Sequence, residues 1–117
     1  MADLLSLIQG IDVETVDFKD TIVDNDYPVP YRVLSESECA LAILVRLDAG
    51  WRFKPGAHPY PVEILVLEGT GEFYRDGIAS RYEPGAKIFL EPGMQHAFCK
   101  VDKTTCFIKR AVFKTVH

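Results

Sequence analysis

From Ala40 onward the sequence is a succession of short alternating segments, each closed by a turn signal, and that pattern leaves little room for helix. Leu41, Ile43, Val45 and Leu47 interleave with Ala42, Leu44, Arg46 and Asp48 at the two-residue period of a strand, with Arg46 marking the face nearer water. Further β-type runs occupy residues 63–68, 71–75, 78–82, 86–90, 97–100 and 105–114. Between them stand Gly69-Thr70-Gly71, Asp76-Gly77, Pro84-Gly85, Pro92-Gly93 and Asp102-Lys103. These suit tight turns because glycine accepts a positive φ and proline presets a negative one. Many short strands at near-regular spacing predict an all-β sandwich or barrel.

Ahead of residue 40 the pattern is weaker. Leu4, Leu5, Leu7 and Ile8 are spaced for one short helical turn, closed by Gly10; Val13, Val16 and Phe18 suit an edge strand. Asp24-Asn25-Asp26-Tyr27-Pro28 reads as a loop, and residues 31–34 resume an extended pattern. We therefore divide the chain into an N-terminal extension, residues 1–30, and a β domain, residues 31–117. A chain of 117 residues makes one domain able to bury a core without disulfides or a structural metal. With 48% hydrophobic and 26% charged residues it has the composition of a folded protein rather than a disordered one.

The same composition excludes several functions. Thirteen Lys and Arg against 17 Asp and Glu give a net charge of -4, and no segment gathers basic residues, so nucleic acid is not the expected partner. The longest apolar stretches, residues 40–45 and 64–67, are far too short to cross a bilayer. Asp3 rather than a basic region precedes the first apolar cluster, so no secretory signal is expected and the chain is placed in the cytoplasm. Cys39, Cys99 and Cys106 are an odd set with no Cys-x-x-Cys pair, which fits free, packed thiols in a reducing compartment.

Two segments carry chemistry. The first begins at Gly50, passes through Gly56-Ala57-His58-Pro59-Tyr60-Pro61-Val62-Glu63 and closes at Gly69. The second has Gly85, then Pro92-Gly93-Met94-Gln95-His96. A proline-glycine turn just before a histidine re-aims the chain so that the next strand starts with that side chain over a pocket. Together these segments resemble the two motifs of the cupin superfamily, a glycine, an H-x-H pair, a glutamate and a closing glycine, followed by a glycine, a proline-glycine turn and a histidine. Gly50, His58, Gly69, Gly85 and His96 match. Gly56 stands at the first histidine, Glu91 at a proline and Lys100 at an asparagine. The glutamate has two readings: counting forward from His58 allows Glu63 to face inward, while counting back from Gly69 lands on Val62 and leaves Glu63 facing out.

The resemblance implies an all-β double-stranded β-helix, the jelly roll or cupin barrel of RmlC-like proteins. The phrase from Leu44 to Gly50, with Val66-Leu67-Glu68-Gly69, is similar to small single-domain cupins and to the ChrR-type anti-sigma-factor domain. It implies a divalent transition metal, Fe, Mn, Ni or Zn, with His58, Glu63 and His96 as ligands; two histidines and one carboxylate form a recognised non-haem iron arrangement. The missing ligand at Gly56 keeps a pocket without metal equally in play. Tyr60, Tyr74 and Tyr82 are candidate acids, as in the epimerases that share the fold, although strand packing explains them as well. Trp51 and Phe53 alternate with Arg52 and Lys54, which predicts packed rings with the cations outside. Cys99, three positions after His96, falls on the opposite strand face.

Three functional classes follow. The first is a metal-dependent small-molecule enzyme, dioxygenase-like or isomerase-like. The second is a non-catalytic metal- or ligand-binding or sensing module, with a small molecule in the barrel. The third is a structural homodimer, paired through an exposed N-terminal edge strand.

Overall fold

The computed structural model describes residues 4–12, 18, 20–24 and 27–113, of which 20–24, 27 and 28 are described by their backbone. A short 3-10 helix, Leu4–Ile8, opens it, where the leucine spacing predicts a helical turn. The strands are β1 (Asp20–Asp24), β2 (Tyr27–Glu36), β3 (Ala40–Leu47), β4 (Val62–Glu68), β5 (Gly71–Arg75), β6 (Ile78–Tyr82), β7 (Lys87–Leu90), β8 (His96–Val101) and β9 (Thr105–Val112). They form a six-stranded sheet ordered β1-β2-β3-β9-β4-β7 and a three-stranded sheet ordered β6-β5-β8, the two-layered all-β fold expected. Among the described residues no helix is long and apolar enough to cross a membrane.

The sheet starts earlier than the boundary at residue 31. β1 and β2 pair as a hairpin, Asp24 opposite Tyr27, and β2 then pairs with β3 from Tyr31 opposite Val45. Tyr27 and Pro28, expected in a loop, are thus strand residues. Pro28 and Pro30 are tolerated because they lie in the part of β2 paired with β1 and not with β3, where one flank asks for no N–H. Of the expected edge strand at residues 13–18, residues 13–17 lie outside the described residues.

Strand alternation sorts the six-stranded sheet into two faces. Ile43, Val45 and Leu47 of β3, Val62, Ile64 and Val66 of β4, and Phe107 and Ala111 of β9 share one core with Phe73, Tyr82, Phe98 and Val101 of the smaller sheet. Phe98 and Phe107 join the layers with ring centroids 4.6 Å apart. Tyr82 Oη and Thr105 Oγ1, 2.7 Å apart, satisfy one another inside this core. On the outer face, Leu44, Leu65, Cys106 and Ile108 form a second cluster with Leu4, roofed by Leu7, Ile8 and Phe18. Each fully buried Leu or Ile there contributes about 1.5–3 kcal/mol of apolar burial. Arg46 lies with its guanidinium carbon 4.8 Å from the Phe18 ring centroid.

Candidate functional site

The mouth of the barrel is built by an irregular segment laid along β8. Gly50 N–H donates to Val101 O, Phe53 N–H to Phe98 O, and Gly56 and His96 exchange N–H···O bonds of 3.0 and 2.9 Å. Gly56 and His96 are therefore direct antiparallel partners with side-chain directions on the same face. The Pro92-Gly93 turn, with Gly93 at φ 80°, donates from Gly93 N–H to the His58 carbonyl at 2.8 Å. The proline-glycine turn thus clamps the first motif to the second. It brings the rings of His58 and His96 to 5.1 Å between centroids.

Both imidazoles are oriented. His96 Nδ1 lies 3.0 Å from Met94 O; a carbonyl only accepts, so Nδ1 carries a proton. Tyr60 stacks on His58 at 5.2 Å and 7°, and Phe113 meets Tyr60 edge-on. Lys109 Nζ is 3.1 Å from His58 Nε2. An ammonium only donates, so Nε2 accepts and the His58 proton resides on Nδ1. Burial, then the Lys109 charge, then His96 pull the His58 pKa down from 6.5 to about 4, so the ring is neutral at physiological pH.

The cavity below has a volume of about 340 Å³. Its wall is apolar, with Ile43, Val45, Phe53, Phe98 and Phe107 contributing, and it carries His58, His96, Lys54 and Lys109 at its polar end. Among the described residues the charged side chains lining it are both lysines. Lys54 is exposed, as Arg52 is and as expected, and it also contributes to the lining of the cavity.

Glu63, expected as the third metal ligand, is not brought to the pocket. It shares the outer face of β4 with Leu65, while Val62 and Ile64 face inward, so the count back from Gly69 is the one the fold obeys. Glu63 pairs with Arg110 across the β4–β9 ladder, and Arg110 Nη2 lies 3.1 Å from both carboxylate oxygens. Among the candidate acids, Tyr82 is committed to Thr105 and burial raises its pKa, which removes it from the site. Cys99 also faces away, its thiol directed at Glu72 O, although β8 carries a register shift.

Sequence reasoning missed Lys109. The signal was present: in a strand that alternates inward Phe107 and Ala111, Lys109 falls on the apolar face.

The donor set does not fit a divalent metal. A catalytic site needs about three protein ligands with an open position. Among the described residues no group of three or more His, Cys, Asp or Glu comes together. The Nε2 lone pair of His58 accepts from the Lys109 ammonium. At about 4 Å and an effective dielectric of 20, two unit charges repel by ~4 kcal/mol, a figure that doubles for a divalent ion. Gly56 has no positive φ, and a Cβ built on it would meet nothing within 4 Å. Neither backbone nor packing demands glycine there, and its effect is to leave open the space beside His96 that a first-motif histidine would fill.

Solved structures with the same fold include an RmlC-like cupin from Shewanella frigidimarina, at TM-score 0.69 and 17% identity, covering 86% of this chain and 91% of that one. A predicted oxalate decarboxylase from Thermotoga maritima gives 0.70 and 20%, covering 81% and 91%. The DMSP lyase DddQ from Ruegeria pomeroyi gives 0.68 and 21%, covering 87% and 56%. No curated protein matches the chain in sequence. The model of the ChrR cupin-like domain matches residues 9–114, nearly the whole chain, and with the two clamped motifs and the two-sheet barrel this makes the protein a member of the ChrR cupin-like family.

Proposed function

We propose that the chain is a small-molecule-binding cupin, a binding or sensing module whose barrel mouth works with a lysine in place of a metal. The observation that carries this is the 3.1 Å contact from Lys109 Nζ to His58 Nε2, at the head of an apolar cavity. Elemental analysis of purified protein, followed by titration with Zn, Ni and Fe(II), tests it: retained metal below roughly a tenth of an equivalent is expected. One equivalent of tightly held metal, lost in His96→Ala, overturns it.

A metal-dependent enzyme, dioxygenase-like or isomerase-like, is the second reading. The 5.1 Å approach of the two imidazoles favours it, as do the lyase and the predicted decarboxylase among proteins of this fold. It requires Lys109 to leave His58 on metal loading, with His58 and His96 as ligands.

A homodimer is also proposed. β6 and β7 end their sheets among the described residues and carry Ile78 and Phe89 at 70% and 54% exposure, surface that a second copy would cover. Light scattering that gives a monomer mass at about 50 μM removes this proposal.

A further inference from the structure

We propose that the cavity seats the carboxylate of a small organic acid between Lys109 and Gly56, with the acid's apolar body held inside the barrel. This rests on the reading of the mouth as a ligand pocket rather than a metal centre, and adds the chemical class of the ligand.

Four observations converge. The cavity is about 340 Å³, room for a single-ring or short-chain acid rather than a cofactor. Its depth is lined by Phe53, Phe98 and Phe107, flat apolar faces suited to a ring or alkyl body. Its polar end joins two lysines, Lys54 and Lys109, to two oriented imidazoles, and the bond to His58 holds Lys109 at the cavity wall. Gly56 supplies the space: its Cβ direction is open, and its backbone is bonded to His96 on both sides, so the opening is held in place rather than collapsing.

An ammonium on the wall of an apolar cavity is a fixed positive charge in a poorly hydrated place, where an anion gains more from it than it would in water. A cationic ligand would be repelled by both lysines. Inorganic phosphate has the charge but none of the apolar body that the lower cavity would bury. A carboxylate on an apolar frame satisfies both ends of the site.

Benzoate and benzamide are matched probes, nearly equal in shape and different in charge. Calorimetric titration of the full chain at pH 7 is expected to show benzoate binding at least about tenfold tighter than benzamide, a factor of ten being 1.4 kcal/mol. Lys109→Met is expected to erase the preference while benzamide binding stays within about twofold, and Lys54→Met, at a more exposed position, to reduce it less. Gly56→Leu, whose Cβ meets no neighbour, is expected to fold and to bind neither probe. A thermal melt confirms that each variant is folded.

Equal affinity for the two probes, or a preference that persists in Lys109→Met, overturns the carboxylate seat while leaving the ligand pocket standing. Binding of neither probe up to about 10 mM also overturns the seat. One equivalent of zinc retained through His58 and His96 overturns the underlying reading instead, so the two failures are distinguishable.

Discussion

Two neighbouring rungs of the β4–β9 ladder carry opposite chemistry: on one Glu63 faces Arg110, on the next Ile64 faces Lys109. The first rung lies on the outer face, where a carboxylate and a guanidinium neutralise each other. The second lies on the inner face, where the lysine meets a neutral histidine at the cavity mouth. Because side chains alternate at a period of two, a one-residue step along β4 moves an acid from the mouth to the outside. The pocket thereby loses a prospective metal ligand, while Lys109, inward on β9 with Phe107 and Ala111, supplies a cation from the facing strand.

The two faces differ first in packing. Ile64 and Leu65 are each 3% exposed, yet Leu65 sits in the closed outer cluster and Ile64 lines the open cavity. Leu65→Ala is expected to destabilise by about 3 kcal/mol, and Ile64→Ala by roughly 1 kcal/mol less, because truncating a wall enlarges existing space instead of creating a void. Equilibrium urea unfolding measures both, and the reverse order breaks the distinction between a closed face and an open one.

Charge separates them next. If a ligand deficit and a misplaced cation are what exclude a metal, Gly56→His combined with Lys109→Met should raise Ni or Zn affinity at least about a hundredfold over the parent, or 2.8 kcal/mol. Calorimetry checks it; unchanged affinity means that something other than these two positions governs the site. For stability the order is reversed. Arg110 and Glu63 side chains are 12% and 31% exposed, between a surface pair and a buried one, so Arg110→Met is expected to cost about 1–2 kcal/mol by stranding the carboxylate. Lys109→Met, which removes a charge from an apolar wall, is expected to change stability by less than about 0.5 kcal/mol.

The fold was legible where turn chemistry bounds alternation. β5 and β6 begin and end where the sequence predicts, because glycine and Asp76-Gly77 leave the chain no other place to turn, with Asp76 itself at φ 48°. β1 was hidden by its acids and the start of β2 by Pro28, which reads as the end of a loop until its pairing with β1 excuses it. His58 and His96 were legible because each sits in a short motif, His96 directly after the Pro92-Gly93 turn; the Gly56–His96 bridge that joins the motifs is long-range and left no local signal. Glu63 was not, since Pro59 and Pro61 interrupt the count of alternation that decides its face. Lys109 belongs to no motif, and only its parity with Phe107 marks it.

The pH dependence of stability is the most direct reading of the inner rung. The His58 pKa of about 4 lies below its ordinary 6.5, chiefly from burial and then from Lys109. For a base whose folded pKa is lowered, the unfolded chain takes up a proton first as pH falls. Stability is therefore unaffected above pH 6.5, declines between 6.5 and about 4, and is level below that. His58 is only partly buried, so solvent screening reduces the loss to about 1 kcal/mol rather than the value the full shift would give. His58→Gln should remove this acid slope. Lys109→Met should raise the pKa only part of the way, because the larger cause, burial, remains. An NMR titration of the His58 ring in both proteins decides it: a parent pKa near 6.5, or one that Lys109→Met leaves unmoved, would mean that the ammonium does not hold the ring, and the contrast between the two rungs would reduce to geometry.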